Sequence, residues 1–248
     1  MSALILALTA GAVVGLALGA LGGGGSVLAV PALIYLLGFT PAAATTAGLI
    51  IVTATSLTAL YARARAGQVR WKAGAAFAAA GILPAAAAGA AAARIPQAVL
   101  TVSFAAVAIL AAVGMLRPAD AARPSGGDVR PVKAAGAGAG LGALTGLLGV
   151  GGGFLAVPAL VTVLAFEMEA AIGTSLLVIT ANSLASLTTR SGAASLDWAV
   201  VGPFIGAAIL GARDGRRMAA KVSGPRLRRV FAVVLLAVAA FMLADAVA

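Results

Sequence analysis

Two runs rich in consecutive glycine, at 22–25 and 149–153, and a set of hydroxyl side chains downstream of each, are the positions whose types and spacing suit a ligand. A helix that starts after a glycine break presents free backbone N–H groups and the positive end of its dipole, and both favour an anion. The segments following the runs begin at Ser26 and Phe154, which makes Gly23, Gly24, Gly25 and Ser26, together with Gly151, Gly152 and Gly153, candidate binding positions. Close helix packing needs only spaced glycines, and Gly11, Gly15 and Gly19 are read in that role. Consecutive glycines do more, because each weakens a helix by about 1 kcal/mol relative to alanine and so marks a break.

Thr46, Thr53 and Ser56 fall near one helical face, and Thr174, Ser175, Thr180, Asn182 and Ser183 crowd the matching segment of the second half. Hydroxyl groups can donate to an oxyanion without a fixed charge. They also bond back to the preceding turn or across helices, so a structural role stands beside the binding one. Arg63 and Arg190 are a repeated pair, read either as anion-attracting entrances or as side chains snorkelling to an interface. Trp71 and Trp198 suit an interfacial belt. The chain has no histidine and no cysteine, and its Glu167 and Glu169 sit at a helix boundary. Acid–base or nucleophilic catalysis, a metal site and a carboxylate proton relay therefore lack their usual groups. No cofactor is implied.

The elements that must position these residues are membrane helices. Of 248 residues, 62% are hydrophobic and 10% charged, with mean hydropathy +1.11, which takes the chain out of the soluble globular range. Apolar runs of the length needed to cross about 30 Å of hydrocarbon recur throughout. The net charge of +10 would suggest nucleic acid in a soluble protein, but here the basic residues cluster in short loops and read as topology signals. The opening stretch lacks the basic start of a signal peptide and is read as mature protein.

The string LAVPAL occurs at 28–33 and at 155–160, an offset of 127 that holds without a gap for about a hundred residues and also pairs Pro31 with Pro158, Arg63 with Arg190, Trp71 with Trp198 and Met115 with Met242. The sequence thus predicts an all-α integral membrane protein of two units, 1–116 and 134–248, joined by a linker at 117–133. Each unit has a glycine-broken helical hairpin and three further membrane helices, giving about 8 to 10 membrane segments in all. Residues 3–38 as one helix would extend about 54 Å, too long for a single span, so the hairpin folds at its glycines and its second arm is short. If the two units are inverted, 15 of the 17 Lys and Arg residues fall on one side and only Arg94 and Arg190 on the other. That is the positive-inside pattern, whereas parallel units would divide them 9 to 8. The linker and the basic loops 63–72 and 213–229 are accordingly expected in the cytoplasm.

The glycine run followed by LAVPAL in both halves, GTSL at 173–176, the spacing of Arg63 to Trp71 and of Arg190 to Trp198, and the ending GARDGRRMAAKVSGPRLRRVFAVVLL resemble the TauE/SafE sulfite exporter family. The first half departs from the pattern, with TAGL at 46–49 where the second has GTSL. The resemblance covers nearly the whole chain. It implies an inner-membrane permease for small sulfur-containing anions such as sulfite, thiosulfate or organosulfonates. The residues and the resemblance together give a transporter working by alternating access at a midplane site between inverted repeats. The expected partners are the small anion, the lipid bilayer and, as a further candidate, a second copy of the chain. A non-transporting scaffold or accessory subunit is the alternative; a cation or metal permease lacks carboxylates in the membrane to balance its cargo.

Overall fold

The computed structural model describes residues 2–22, 26–92, 97–116, 131–148, 153–189 and 196–247. Its elements are α1 (Ser2–Leu21), α2 (Ser26–Pro31) with a π-helical turn (Ala32–Leu36), α3 (Pro41–Arg65), α4 (Trp71–Ala92), α5 (Gln97–Leu116), α6 (Pro131–Leu148), α7 (Gly153–Thr162), α8 (Met168–Thr189), α9 (Trp198–Ala219) and α10 (Gly224–Val247). No strand occurs among the described residues. Three helical stretches, Ala3–Leu21, Thr46–Arg65 and Met168–Ala185, are long and apolar enough to cross a membrane by length and composition among the described residues. The protein is all-helical, as its composition requires. Helix α6 takes up the last three residues of the expected linker, because Pro131 is pre-set for the first helical position.

The duplication recurs in the helix starts. Ser26, Pro41, Trp71 and Gln97 open helices 127 residues before Gly153, Met168, Trp198 and Gly224 do. The short arm α2 and its π turn run from Ser26 to Leu36, and α7 has 10 residues, so each arm extends only about half the hydrocarbon thickness. Both arms contain the repeated proline, which removes a backbone donor and crowds the turn before it. In the first arm the π turn follows directly on Pro31. Both arms end alike: Phe39 N–H reaches Leu33 O across Gly38 at φ +69°, and Phe166 N–H reaches Leu160 O across Ala165 at φ +52°. Gly38 adopts the left-handed conformation freely. Ala165 is held there by the same closing bond, the only non-glycine with positive φ among the described residues.

The two units exchange their first helices. Gly11, Gly15 and Gly19 of α1 lie against Phe204, Ala208 and Ala212 of α9, while Gly138 and Gly142 of α6 lie against Phe77 and Gly81 of α4. The second set is the first shifted by the same offset, with the units swapped. The matched order of contacts along each pair means that α1 runs parallel to α9, and α4 to α6. At Gly15 and Gly142 an added Cβ would overlap the facing backbone, so these glycines permit the packing the sequence assigns to Gly11, Gly15 and Gly19.

Chain direction follows from the turns. Arg63 near the end of α3 reaches Gly19 O near the end of α1, and Gln68 in the turn to α4 reaches Glu169 in the first turn of α8. Arg228 at the start of α10 donates to Gly114 O at the end of α5. One end of the molecule therefore collects the ends of α1, α3, α5 and α9 and the starts of α4, α8 and α10. Each of α3, α4 and α5 thus points opposite to its counterpart α8, α9 and α10. That same end carries Arg63, Arg65, Arg70 and Lys72 from one unit and Arg213, Arg216, Arg217 and Lys221 from the other. Trp71 and Trp198, both exposed, open helices at opposite ends.

Candidate functional site

Helices α3 and α8 are equivalent, antiparallel and in contact, and among the described residues the buried polar side chains lie on them. Near the middle of both, Thr180 Oγ1 hydrogen-bonds Ser56 Oγ across the crossing at 3.1 Å and also Leu176 O of its own helix at 2.7 Å. Ser56 bonds back to Thr53 O at 3.3 Å, and Thr53 Oγ1 donates to Leu49 O at 2.7 Å. Ser183, the counterpart of Ser56, is 1% exposed and its hydroxyl has no hydrogen-bond partner among the described residues. Thr53, Ser56, Thr180 and Ser183 are two copies of one pair. The copies meet at Ser56 and Thr180, and Thr53 and Ser183 lie one turn away on the same two helices.

A hydroxyl buried without a partner costs about 1–3 kcal/mol and calls for an explanation. The other three hydroxyls are all satisfied, mostly by carbonyls of the preceding turn, and they rotate about one bond. Turning them onto an anion costs weak local bonds. The same two helices bury the apolar Leu49, Ile51, Val52, Leu176 and Ile179. Such surroundings strengthen a hydrogen bond to a charged guest. Thr55 sits one position off the Thr53 and Ser56 stripe and so escapes the sequence pattern; it is fully buried and bonds back to Ile51 O at 2.6 Å.

The GTSL residues lie nearer the basic end. Thr174 Oγ1 accepts from Arg70 N–H at 3.1 Å, which ties the turn between α3 and α4 to α8, and an added Cβ at Gly173 would overlap Gln68 O. Ser175 bonds back to Ile172 O at 2.8 Å and faces Gly22, whose φ of +66° closes α1 at the first break. Thr174 is thus held by a structural bond. Ser175 joins the first glycine break to α8, about 7.5 Å along the helix axis from Thr180. Thr46 and Asn182 are half-buried on α3 and α8. Ser26 and Gly153 open α2 and α7; Gly23, Gly24, Gly25, Gly151, Gly152 and Arg190 lie outside the described residues.

Arg63 is 4% exposed, and its bonds to Gln68 Oε1 at 2.9 Å and Gly19 O at 3.4 Å draw it inward. It does not snorkel. No sequence pattern signals this, because the carbonyl it meets belongs to a helix 44 residues away. Among the described residues no group of histidine, cysteine and carboxylate side chains could hold a metal ion.

An all-helical, apolar chain with a polar crossing buried between two equivalent helices is a multi-pass membrane protein. Two proteins of Xylella fastidiosa, each named probable membrane transporter protein, are similar over nearly the full length of both chains. That of strain 9a5c is 33% identical over 248 residues, covering 97% of this chain and 95% of the relative. That of strain Temecula1 / ATCC 700964 is 32% identical with the same coverage. No solved structure matches the chain. The class is a membrane transporter, not an enzyme. The family model of the sulfite exporter TauE/SafE matches residues 7–242, and the chain belongs to that family.

Proposed function

We propose that this protein carries small sulfur-containing oxyanions, such as sulfite, thiosulfate or organosulfonates, across a bacterial inner membrane. The two units act as inverted-topology repeats, one rocking against the other around a site at the α3–α8 crossing. The observation that carries this reading is the set of hydroxyls Thr53, Ser56, Thr180 and Ser183 on α3 and α8, in which the buried Ser183 Oγ lacks a partner among the described residues. It supplies neutral donors for an oxyanion, and the family supports an anion of the sulfite kind. The basic end faces the cytoplasm in this reading, since both basic loops meet there.

The direct test is flux in proteoliposomes of the purified protein, with labelled sulfite, thiosulfate and sulfate, with and without an ion gradient. Saturable movement of at least one anion is expected. A folded, inserted protein that moves none of them, nor any of a wider oxyanion panel, above empty liposomes would end the transporter reading and favour the scaffold.

Orientation has its own test, because the chain lacks cysteine. Single cysteines at the exposed Ala66 and Ala220 should be labelled by an impermeant maleimide from the cytoplasmic side of inverted vesicles, and one at the exposed Ala199 from the other side. Labelling of Ala199→Cys and Ala66→Cys from one side would contradict the inverted arrangement.

A further inference from the structure

We propose that the cavity at the basic end is a second binding site, for a small divalent oxyanion held between Arg63 and Arg216 and opposed by Glu169, where anions collect before they enter the α3–α8 crossing. The collecting role rests on the transporter reading; the binding itself does not. The cavity has a volume of about 270 Å³ and is lined by Arg63, Gln68, Glu169, Arg216 and Arg217, with Ile172 and Leu227 among its apolar residues. Three guanidinium groups face one carboxylate.

Arg63 is the unusual member. Its hydrogen bonds go to two neutral acceptors, the Gln68 amide and the Gly19 carbonyl, although it is almost wholly buried. A buried charge without a direct counter-ion is costly. Gln68 stands between it and Glu169, taking the carboxylate with its own Nε2 at 3.2 Å. Burial weighs most on the Arg63 charge, Glu169 offsets part of that cost through space, and Arg216, which lines the same cavity, repels it, while Arg217 leans away toward Asp214 at 3.5 Å. Two like charges facing across a cavity are stabilised by an anion placed between them, and guanidinium groups match an oxyanion's geometry.

The duplication did not create this arrangement. Shifted by the repeat offset, Gln68, Glu169, Arg216 and Arg217 correspond to Ser195, Ala42, Gly89 and Ala90, and only Arg63 has its charge repeated, at Arg190. The crossing is thus built from matching hydroxyls, while the charged vestibule belongs to one end. A site confined to the basic end gives the two sides unequal access to anions, which a symmetric pair of mouths would not.

The test uses full-length protein in a neutral detergent. Its melting temperature is followed against sodium sulfate, with sodium chloride at matched ionic strength as the reference. Sulfate should stabilise beyond chloride, and Arg216→Gln should raise the half-maximal sulfate concentration about tenfold, the loss of one charge-assisted hydrogen-bond donor. Glu169→Gln removes the opposing charge and should lower that concentration about three- to fivefold. Gly140→Ala, where the added Cβ meets nothing within 4 Å, should leave it unchanged. Sulfate acting no differently from chloride, or acting equally on wild type, Arg216→Gln and Glu169→Gln, would overturn the proposal. A sulfate response lost in Ser183→Ala but kept in Arg216→Gln would place the anion at the crossing, overturning the vestibule while leaving the transport reading intact. Stabilisation by phosphatidylglycerol in the micelles that leaves nothing for sulfate to add would assign the cavity to a lipid headgroup and overturn it too.

Discussion

Gly142→Val is expected to abolish the folded protein, while Gly140→Val, two residues earlier on the same helix, leaves it monodisperse in detergent. A Cβ at Gly142 would overlap the oxygen, Cα and carbonyl carbon of Gly81 on α4, whereas at Gly140 it meets nothing within 4 Å. Backbone cannot rotate aside as a side chain can. The helices would have to separate, and because α6 and α4 belong to different units, that separation opens the joint between the two halves. Overpacking that flexible side chains absorb costs about 1–3 kcal/mol; a clash with backbone belongs to the severe class, above about 4 kcal/mol. Gly15→Val, which meets Ala208 at the equivalent joint, should behave as Gly142→Val does. Size-exclusion profiles and melting temperatures of these variants check the prediction, and a monodisperse Gly142→Val with wild-type melting would refute it.

The sequence contrast between the copies agrees with this. Gly136 and Gly140 face open space, and their counterparts in the first copy are Thr9 and Val13, both bearing side chains. Gly138 and Gly142 face backbone, and their counterparts are Gly11 and Gly15. At these four positions of α6 glycine is kept in both copies where the helix meets backbone and not where it faces open space, whereas Gly211 and Gly215, which meet the backbone of α1, have Pro84 and Ala88 as counterparts. Alignment of one copy on the other therefore picks out the packing glycines that the α1–α9 and α4–α6 pairs share, and misses those that serve one pair alone.

Much of the architecture is legible in this way. Helix lengths, the short second arm and the break at Gly22 follow from apolar run length and the helix-weakening effect of glycine. The exchange of first helices is not legible, because hydropathy in a membrane chain reports burial in lipid and says nothing about which apolar face meets which. Arg63 misleads for a related reason: an arginine near a helix end is interfacial unless something inside offers acceptors, and the acceptor here is a backbone carbonyl of α1 that every sequence has. The hydroxyl residues stand out by their repetition, but repetition does not sort them. Only contacts show that Thr174 serves the turn at Arg70 while Ser56 and Thr180 meet across the crossing.

Ser183→Ala should make the protein more stable and a worse transporter. The Ser183 hydroxyl is buried and, among the described residues, unpartnered, so removing it relieves a desolvation cost of about 1–3 kcal/mol and disturbs no hydrogen bond among them. Alanine fits wherever serine does. With an anion at the crossing the balance reverses, because the hydroxyl then makes a bond to a charged acceptor worth about 1.5–3 kcal/mol, and its loss should weaken substrate affinity about ten- to hundredfold. The expected result is a raised melting temperature without substrate and a KM for flux raised by that factor. Ser56→Ala separates the two effects, since it breaks the bond to Thr180 at 3.1 Å and should lower both stability and transport. A purely structural cluster would couple the readouts in both variants, so a Ser183→Ala protein with normal flux would remove the crossing from the transport path. Opposite signs in stability and flux at one buried serine are what a binding site produces: it carries an unsatisfied group until the ligand arrives, because only the ligand satisfies it.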